Sequence, residues 1–187
     1  MRLPAKVSLL CAALLLAAGC AHGATAVGMT LTQQDLAGPP SPAVAGLVAV
    51  GNVTGGEETN PATTPKIADG PFREALQASL RLAGLLSDQP NPPLVVSATL
   101  VKLDQPMFAL DMTVTSVVRY TVREARTGAV VIDEEITAAH TATVGQAFAG
   151  TTRLQLANEG SARKNIALLV KRLNTIRKNA PAAAPSS

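Results

Sequence analysis

The amino-acid sequence predicts a two-layer α+β domain: an antiparallel sheet of about four strands, in the order β-α-β-β-β-α, with two helices packed on one face. Three observations lead there. Strict alternation over 111–123 puts Met112, Val114, Val118, Tyr120 and Val122 on one face and Asp111, Thr113, Thr115, Arg119, Thr121 and Arg123 on the other, the period of a half-buried strand. Apolar residues recur at spacings of three and four from Phe72 to Ala83 and again from Leu154 to Ile176, the period of a helix with one buried stripe. Stretches rich in Gly and Pro separate these segments and belong to neither period.

At the start of the chain, Arg2 and Lys6 precede the apolar run Val7–Leu16 without an intervening acid. That run is far shorter than the ~20 apolar residues needed to span a bilayer and reads as an export signal over residues 1–19. Leu16-Ala17-Ala18-Gly19-Cys20 narrows through small residues into a cysteine. It resembles the bacterial lipobox, in which cleavage precedes the cysteine and the sulfur carries diacylglycerol; the best-matching form has Leu where Ala17 stands. The alternative is an ordinary secretory signal cut after Ala18 or near Ala21, leaving a soluble periplasmic protein. Cys11 falls in the discarded segment, so the mature chain would keep only Cys20 and form no internal disulfide. A free cysteine in an oxidising compartment is a liability, which favours its modification. Two acyl chains already hold a protein stably on a membrane. In the sorting pattern of such lipoproteins, Ala21 in place of aspartate after the cysteine implies the outer membrane.

Residues 20–43, with Gly38-Pro39-Pro40-Ser41-Pro42, suit a flexible tether, with a short edge strand over Val27–Thr32 and an exposed His22. The folded domain is expected over 44–178. Val44–Thr54 reads as a buried first strand. Gly51-Asn52-Val53-Thr54-Gly55-Gly56 lacks the Gly-Lys-Ser/Thr ending of a phosphate loop and no helix follows at once, so 51–70 reads as a mobile surface loop. The first long helix opens at Gly70-Pro71 and buries Phe72, Ala75, Leu76, Ser79, Leu80 and Ala83. Gly84 followed by Leu85 supplies a left-handed stop with its hydrophobic contact.

Leu94–Leu103 forms the second strand and 104–110 a connecting loop. The turn Arg126-Thr127-Gly128 joins the third strand to a fourth over Ala129–Ala142, with Val130, Ile132, Ile136 and Ala138 inward and Asp133, Glu135 and Thr137 outward. This register sets Arg119 opposite Glu135. Phe148 is expected to anchor the flexible segment 145–150. Thr152 and Gln155 have the spacing of a capping box, opening a helix with the stripe Leu154, Asn158, Ala162, Ile166, Leu169, Val170, Leu173 and Ile176. Asn158 and Asn165 border the core and reach a loop, and Glu159 with Arg163, four apart, form a surface ion pair. Residues 179–187 read as a disordered tail.

Removing residues 1–19 leaves 168 of the 187 residues, enough for one domain with a core. Arg2 and Lys6 leave with the signal, so 14 of the 16 basic residues face 13 acidic ones and the net charge falls to near +1. No global electrostatic argument for nucleic acid survives. With Phe72, Phe108, Phe148 and Tyr120 as the aromatic residues and no Trp, stacking platforms are poorly supplied.

The last helix region carries Arg163, Lys164, Lys171, Arg172, Arg177 and Lys178 with no acid between 163 and 178. These cations offset the helix dipole, and they are also candidate contacts for anionic lipid, lipopolysaccharide phosphates or an acidic partner. The catalytic inventory is thin. His140 is the one histidine in the predicted domain and has inward parity on the fourth strand; without a second histidine or a free cysteine, no such metal site is expected. No Gly-x-Ser-x-Gly elbow occurs, and Glu134 points away from Asp133 and Glu135, so no carboxylate pair forms there. No catalytic residue and no cofactor is assigned.

The order of elements after a lipobox cysteine resembles small periplasmic α+β lipoproteins of Gram-negative bacteria. Residues 44–86, a Val-rich strand, a Gly/Thr loop and Phe-Arg-Glu-Ala-Leu through Ala-Gly-Leu-Leu, are similar to YajG-like lipoproteins. The layout is also similar to that of the lipoprotein partners of lipopolysaccharide export and of cell-wall synthase activation. Residues 147–166, from Ala-Phe-Ala-Gly-Thr-Thr-Arg-Leu to Arg-Lys-Asn-Ile, resemble a motif of small lipoproteins, some of which bear a UDP-N-acetylglucosamine acyltransferase label. Such acyltransferases resemble hexapeptide-repeat β-helices, and nothing here repeats at six. The resemblance implies an outer-membrane lipoprotein on the periplasmic face, held through acyl chains on Cys20. The resemblance implies fold and location far better than role; with no catalytic set assigned, the expected role is a non-enzymatic scaffold or assembly one with a periplasmic protein or glycolipid partner. Its rivals are an acyltransferase-type enzyme of envelope precursors and a glycolipid- or peptidoglycan-binding module.

Overall fold

The computed structural model describes residues 21–176. The expected signal 1–19, Cys20, Arg177, Lys178 and the tail 179–187 lie outside the described residues. Four strands, β1 (Val48–Thr54), β2 (Leu94–Asp104), β3 (Met112–Glu124) and β4 (Val130–Ala142), form one sheet in that spatial order. The helices are α1 (Ala26–Met29), α2 (Asp69–Leu82) and α3 (Gly150–Leu173), with a 3-10 turn at Gln33–Asp35. The α+β class, the element order and the placement of both long helices on one face of the sheet are as the patterning implies.

The sheet is mixed, whereas a wholly antiparallel one is expected from the sequence. β1 pairs with β2 in parallel, and β2–β3 and β3–β4 are antiparallel. The physical reason is the connection: α2 lies between β1 and β2 and carries the chain back to the end from which β1 started, as a parallel crossover requires. Glycine at position 51 belongs to an irregularity in this edge pairing, between Val50 and Val53, where a Cβ would press on Ser97 and Val95 at 2.8 Å.

The alternation over β3 and the stripe of α2 are realised as written: Met112, Val114, Val118, Tyr120 and Val122 are buried with Phe72, Ala75, Leu76, Ser79, Leu80 and Ala83. Ser116 completes the inward row of β3. From α3, Leu154, Asn158, Ala162, Ile166, Leu169, Val170 and Leu173 cover the same face. Gly84 adopts φ +68°, and Gly84, Leu85 and Leu86 turn their N–H groups back to the last turn of α2. Gly128 likewise has φ +73° in the β3–β4 turn.

Several local expectations change. Val130, expected inward, is half-exposed, because the β3–β4 pairing shifts between Val122 and Arg123 and the extra residue rotates the end of β4 outward. α3 begins at Gly150 with Ala149 as its N-cap and no side-chain cap, so Thr152 and Gln155 make no capping box. Instead the Arg153 guanidinium donates to the carbonyls of Ala147 and Phe148 just before the helix. Phe148, expected to anchor this segment, is 93% exposed. Arg119 does stand opposite Glu135, but its guanidinium reaches diagonally to Asp133 with two bonds of 2.8 and 2.7 Å. That pairing holds the Asp133 carboxyl below the ordinary aspartate range and raises Arg119.

The largest correction concerns residues 20–43. From Ala21 onward this segment is packed rather than a flexible tether, and Val27–Thr32 forms the short helix α1 and its exit, not an edge strand. Ala21 N–H donates to Pro61 O at 3.0 Å and Ala24 N–H to Lys66 O at 2.9 Å. Met29 and Leu31 are buried in the main core, and Leu31 N–H donates to Ser79 Oγ of α2 at 3.0 Å. Farther on, Ser41 N–H reaches Asn174 Oδ1 at 2.8 Å, beyond the end of α3. The segment is thus a strap across the outer side of the two long helices. It buries apolar side chains and satisfies its backbone, which offsets the entropy of ordering it.

Candidate functional site

The sheet has two distinct ends. The C-terminal ends of β1, β2 and β4 meet the starts of β3, α2 and α3 at one, called here the loop end. The β3–β4 turn, the α2–β2 connection and the end of α3 lie at the other, the turn end. The strap enters at the loop end and leaves at the turn end.

Two α3 side chains clamp the strap. The buried Glu159 carboxylate accepts Thr25 N–H and Thr25 Oγ1–H, each at 2.9 Å, and Gln155 Nε2–H at 3.2 Å. One turn on, Arg163 donates twice to Gly28 O, from Nε at 3.0 Å and from Nη2. Glu159 and Arg163 therefore do not form the expected surface ion pair; each is committed to α1. Gly28 is the residue that permits this approach, since a Cβ there would collide with the Glu159 carboxylate.

The remaining cations of α3 divide similarly. Lys164 donates to Ala139 O at 3.1 Å, and Arg172 pairs with Glu134 of β4 at 3.0 Å and bonds Thr175. Lys171 is exposed and has no hydrogen bond or ion pair among the described residues. It lines a shallow groove with Arg172, Leu168 and the Glu134–Thr137 stretch of β4. β4 is an edge strand of the sheet, so this groove borders backbone that no other strand covers.

The loop over 55–68, read from sequence as mobile, is tied down at several points. Gly56 N–H donates to Asp69 Oδ1, Glu57 N–H to Ile67 O, and Lys66 N–H to Thr59 Oγ1. Lys66 also pairs with Glu57 at 3.1 Å. Buried Asn158 donates to Pro65 O at 3.0 Å and accepts from Gln105 Nε2 at 2.9 Å, and the same Gln105 amide reaches Pro65 O at 2.7 Å. Asn158 thus meets a loop as expected. Asn165 does not: it donates to Ile136 O at 2.8 Å and to Ser116 O at 3.2 Å, holding α3 onto β3 and β4.

His140 is half-buried on β4 against Gly160 of α3, where a Cβ would overlap the imidazole ring. Burial first, then Lys164 and Arg163, push its pKa below 6.5. Among the described residues, no group of three or more His, Cys, Asp or Glu side chains is placed to hold a metal. No described helix is long and apolar enough to cross a membrane. The exposed large apolar residues fall mainly at the loop end: Met107, Phe108 and Leu110 between β2 and β3, and Val144 and Phe148 between β4 and α3. Sequence reasoning passed over this cluster, because the alternation that marks a buried strand gives no weight to isolated apolar residues in loops.

No family model matches the sequence, and no curated protein matches it. The YajG-like and acyltransferase resemblances therefore rest on the residues that suggested them. Solved structures do match. A protein of Xanthomonas campestris, XCC0632, described by family model DUF330, is similar at 11% identity and TM-score 0.52, covering 71% of this chain and 87% of that one. PelC of Paraburkholderia phytofirmans, solved as a dodecamer, is 21% identical with a TM-score of 0.46, covering 73% of this chain and 94% of that one. A minor lipoprotein of Acinetobacter baumannii is 15% identical with a TM-score of 0.44, covering 71% and 93%. At these identities the likeness concerns fold alone, and the chain shares the α+β fold of the Xanthomonas protein.

Proposed function

We propose that this chain is a lipid-anchored, non-enzymatic envelope lipoprotein acting as a scaffold or assembly factor, acylated on Cys20 and held on the periplasmic face of the outer membrane. The observation that carries the reading is the run Leu16-Ala17-Ala18-Gly19-Cys20 followed at once by a packed strap. An acyl anchor on Cys20 would then adjoin a residue already fixed to the domain, Ala21, so that membrane and domain are directly coupled. Of the two described histidines, His22 is exposed, and His140 lies against Gly160, with burial and the charges of Lys164 and Arg163 lowering its pKa. The partner surface of this reading is the groove of Lys171, Arg172 and the β4 edge, where a positive side chain and open strand backbone lie side by side.

Mass spectrometry of the N-terminal peptide tests the anchor: a diacylglyceryl mass on Cys20, absent in Cys20→Ser, is expected. An unmodified cysteine, or an N-terminus beyond residue 20, would refute it. Crosslinking in intact cells followed by mass spectrometry tests the partner surface. A photo-crosslinker placed at Leu168 or Thr175 in the groove is expected to capture a partner that is lost in Lys171→Glu/Arg172→Glu, and capture unchanged in that variant would remove the groove from consideration.

A further inference from the structure

We propose that the apolar tip formed by loops 105–111 and 143–149 dips into the bilayer surface beside the acylated cysteine, making the loop end of the domain its membrane face. This rests on the lipid-anchor reading above and adds an orientation and a second point of attachment. Phe108 and Phe148 are 91% and 93% exposed, and Met107 and Leu110 are 85% and 79% exposed. The two loops are joined, since Val144 N–H donates to Asp111 Oδ1 at 3.1 Å. Four large, nearly bare apolar side chains on adjoining loops are unusual for a surface that meets only water.

The position of the anchor selects the bilayer as occupant. Ala21, the residue after Cys20, is buried and bonded to Pro61 O, and Ala24 is bonded to Lys66 O. Pro65, beside that lysine, accepts from Gln105, the first residue of the β2–β3 loop. Phe108 lies three residues farther on, within ~10 Å of extended chain. Ala21, next in sequence to the proposed lipid-bearing residue, and the apolar tip thus share one end of the molecule, so an anchor on Cys20 would join the domain without an intervening tether. The tip also carries little exposed charge, since the Arg153 guanidinium that donates to the Ala147 and Phe148 carbonyls belongs to a buried residue. Asp111 is the one ionisable residue in 105–111 and 143–149, and its carboxylate already accepts a backbone N–H. Apolar side chains free of fixed charge suit partition into the headgroup and acyl boundary, where interfacial segments bury ~5–10 Å. In this orientation α3, 24 residues and so ~36 Å long, points away from the membrane, carrying Lys171 and Arg172 to the periplasmic end.

The chain contains no tryptophan, so a single introduced Trp is an unambiguous reporter. Phe108→Trp, Phe148→Trp and, at the turn end, Val130→Trp are prepared as acylated protein in phosphatidylethanolamine/phosphatidylglycerol vesicles with acyl-brominated lipid. Trp fluorescence at 108 and 148 is expected to fall at least about twofold while that at 130 stays within about a tenth of its value, as shallow burial of one end requires. Unquenched reporters at 108 and 148 in vesicle-bound, mass-verified acylated protein would overturn the tip proposal and leave the anchor intact. Protein without the acyl mass would overturn both. A second arm uses unacylated Cys20→Ser protein, in which Phe108→Ser/Phe148→Ser is expected to weaken vesicle binding at least tenfold, independently of salt. Equal binding with and without the two phenylalanines would sink the proposal. So would self-association that the same double substitution abolishes, which would assign the tip to a second copy of this chain.

Discussion

Replacing Glu159 by Ala is expected to loosen the strap while leaving the sheet and the two long helices closed. The carboxylate holds Thr25 through its N–H and its hydroxyl. A hydrogen bond to a charged group contributes ~1.5–3 kcal/mol, and these two share one residue and one acceptor oxygen, so together they hold the strap by about 2–3 kcal/mol. Met29 and Leu31 remain buried, each contributing ~1.5–3 kcal/mol, and Arg163 still holds Gly28 O. The strap therefore stays mostly closed but opens more often. At about 1.4 kcal/mol per factor of ten, local opening becomes roughly 30- to 150-fold more frequent.

The assay is native-state hydrogen exchange at the Leu31 amide, whose bond to Ser79 Oγ survives only while the strap is seated. Amides in β3 serve as the internal reference. Glu159→Gln keeps an oxygen acceptor without the charge and is expected to fall between wild type and Glu159→Ala. Gly28→Ala, whose Cβ would strike the carboxylate, is expected to open the same segment. Leu31 exchange changed by less than about threefold in Glu159→Ala, or accelerated equally in β3, would refute the reasoning, because the clamp would then be either idle or inseparable from the whole fold.

Three further outcomes follow from buried polar groups. His140 is held below its ordinary pKa of 6.5, so the unfolded chain takes up the proton first as pH falls. Its contribution to stability is complete above that range and is lost as pH drops through 6.5 towards the folded value; an NMR titration midpoint at or above 6.5, or a slope unchanged in His140→Gln between about pH 7.5 and about pH 5, would contradict this. Tyr120 is wholly buried, its hydroxyl has no hydrogen-bond partner among the described residues, and burial drives its pKa far above the ordinary tyrosine value. Tyr120→Phe is expected to raise stability by about 1 kcal/mol in urea melts, and a loss of that size would reveal an interaction the hydroxyl makes. Asn165→Ala removes donors to Ile136 O and Ser116 O in a buried site and is expected to cost ~1–3 kcal/mol by the same measurement; a cost below ~0.5 kcal/mol would mean α3 is positioned by packing alone.

Much of the fold was legible where one physical term dominated. The alternation of β3 and the stripe of α2 follow from burial against a single face, and Gly84 and Gly128 follow from positive φ. The strap was not legible, since small residues, Gly and Pro dominate 21–43 and carry no period. Its one signal was the presence of Met29 and Leu31, large apolar residues that a solvated tether does not need. The parallel β1–β2 pair was available from the strand–helix–strand order, but antiparallel hairpin evidence elsewhere outweighed it. Glu159 and Arg163 show the limit of local rules. Their spacing of four favours a mutual pair, and two partners remote in sequence won because the backbone and hydroxyl of α1 offered fixed, part-buried donors and an acceptor.

The strap also fixes how the molecule would answer to mechanical tension. Force applied at the N-terminal end meets the Ala21–Pro61 and Ala24–Lys66 contacts first, then the Glu159 and Arg163 clamps, then the Leu31–Ser79 contact, and only afterwards reaches β1. These attachments would yield one after another, as a zip rather than a sheared sheet. A pull at that end would lengthen the chain by successive short steps while the four strands remained paired, the slack being the residues from Ala21 to Leu47 that precede β1.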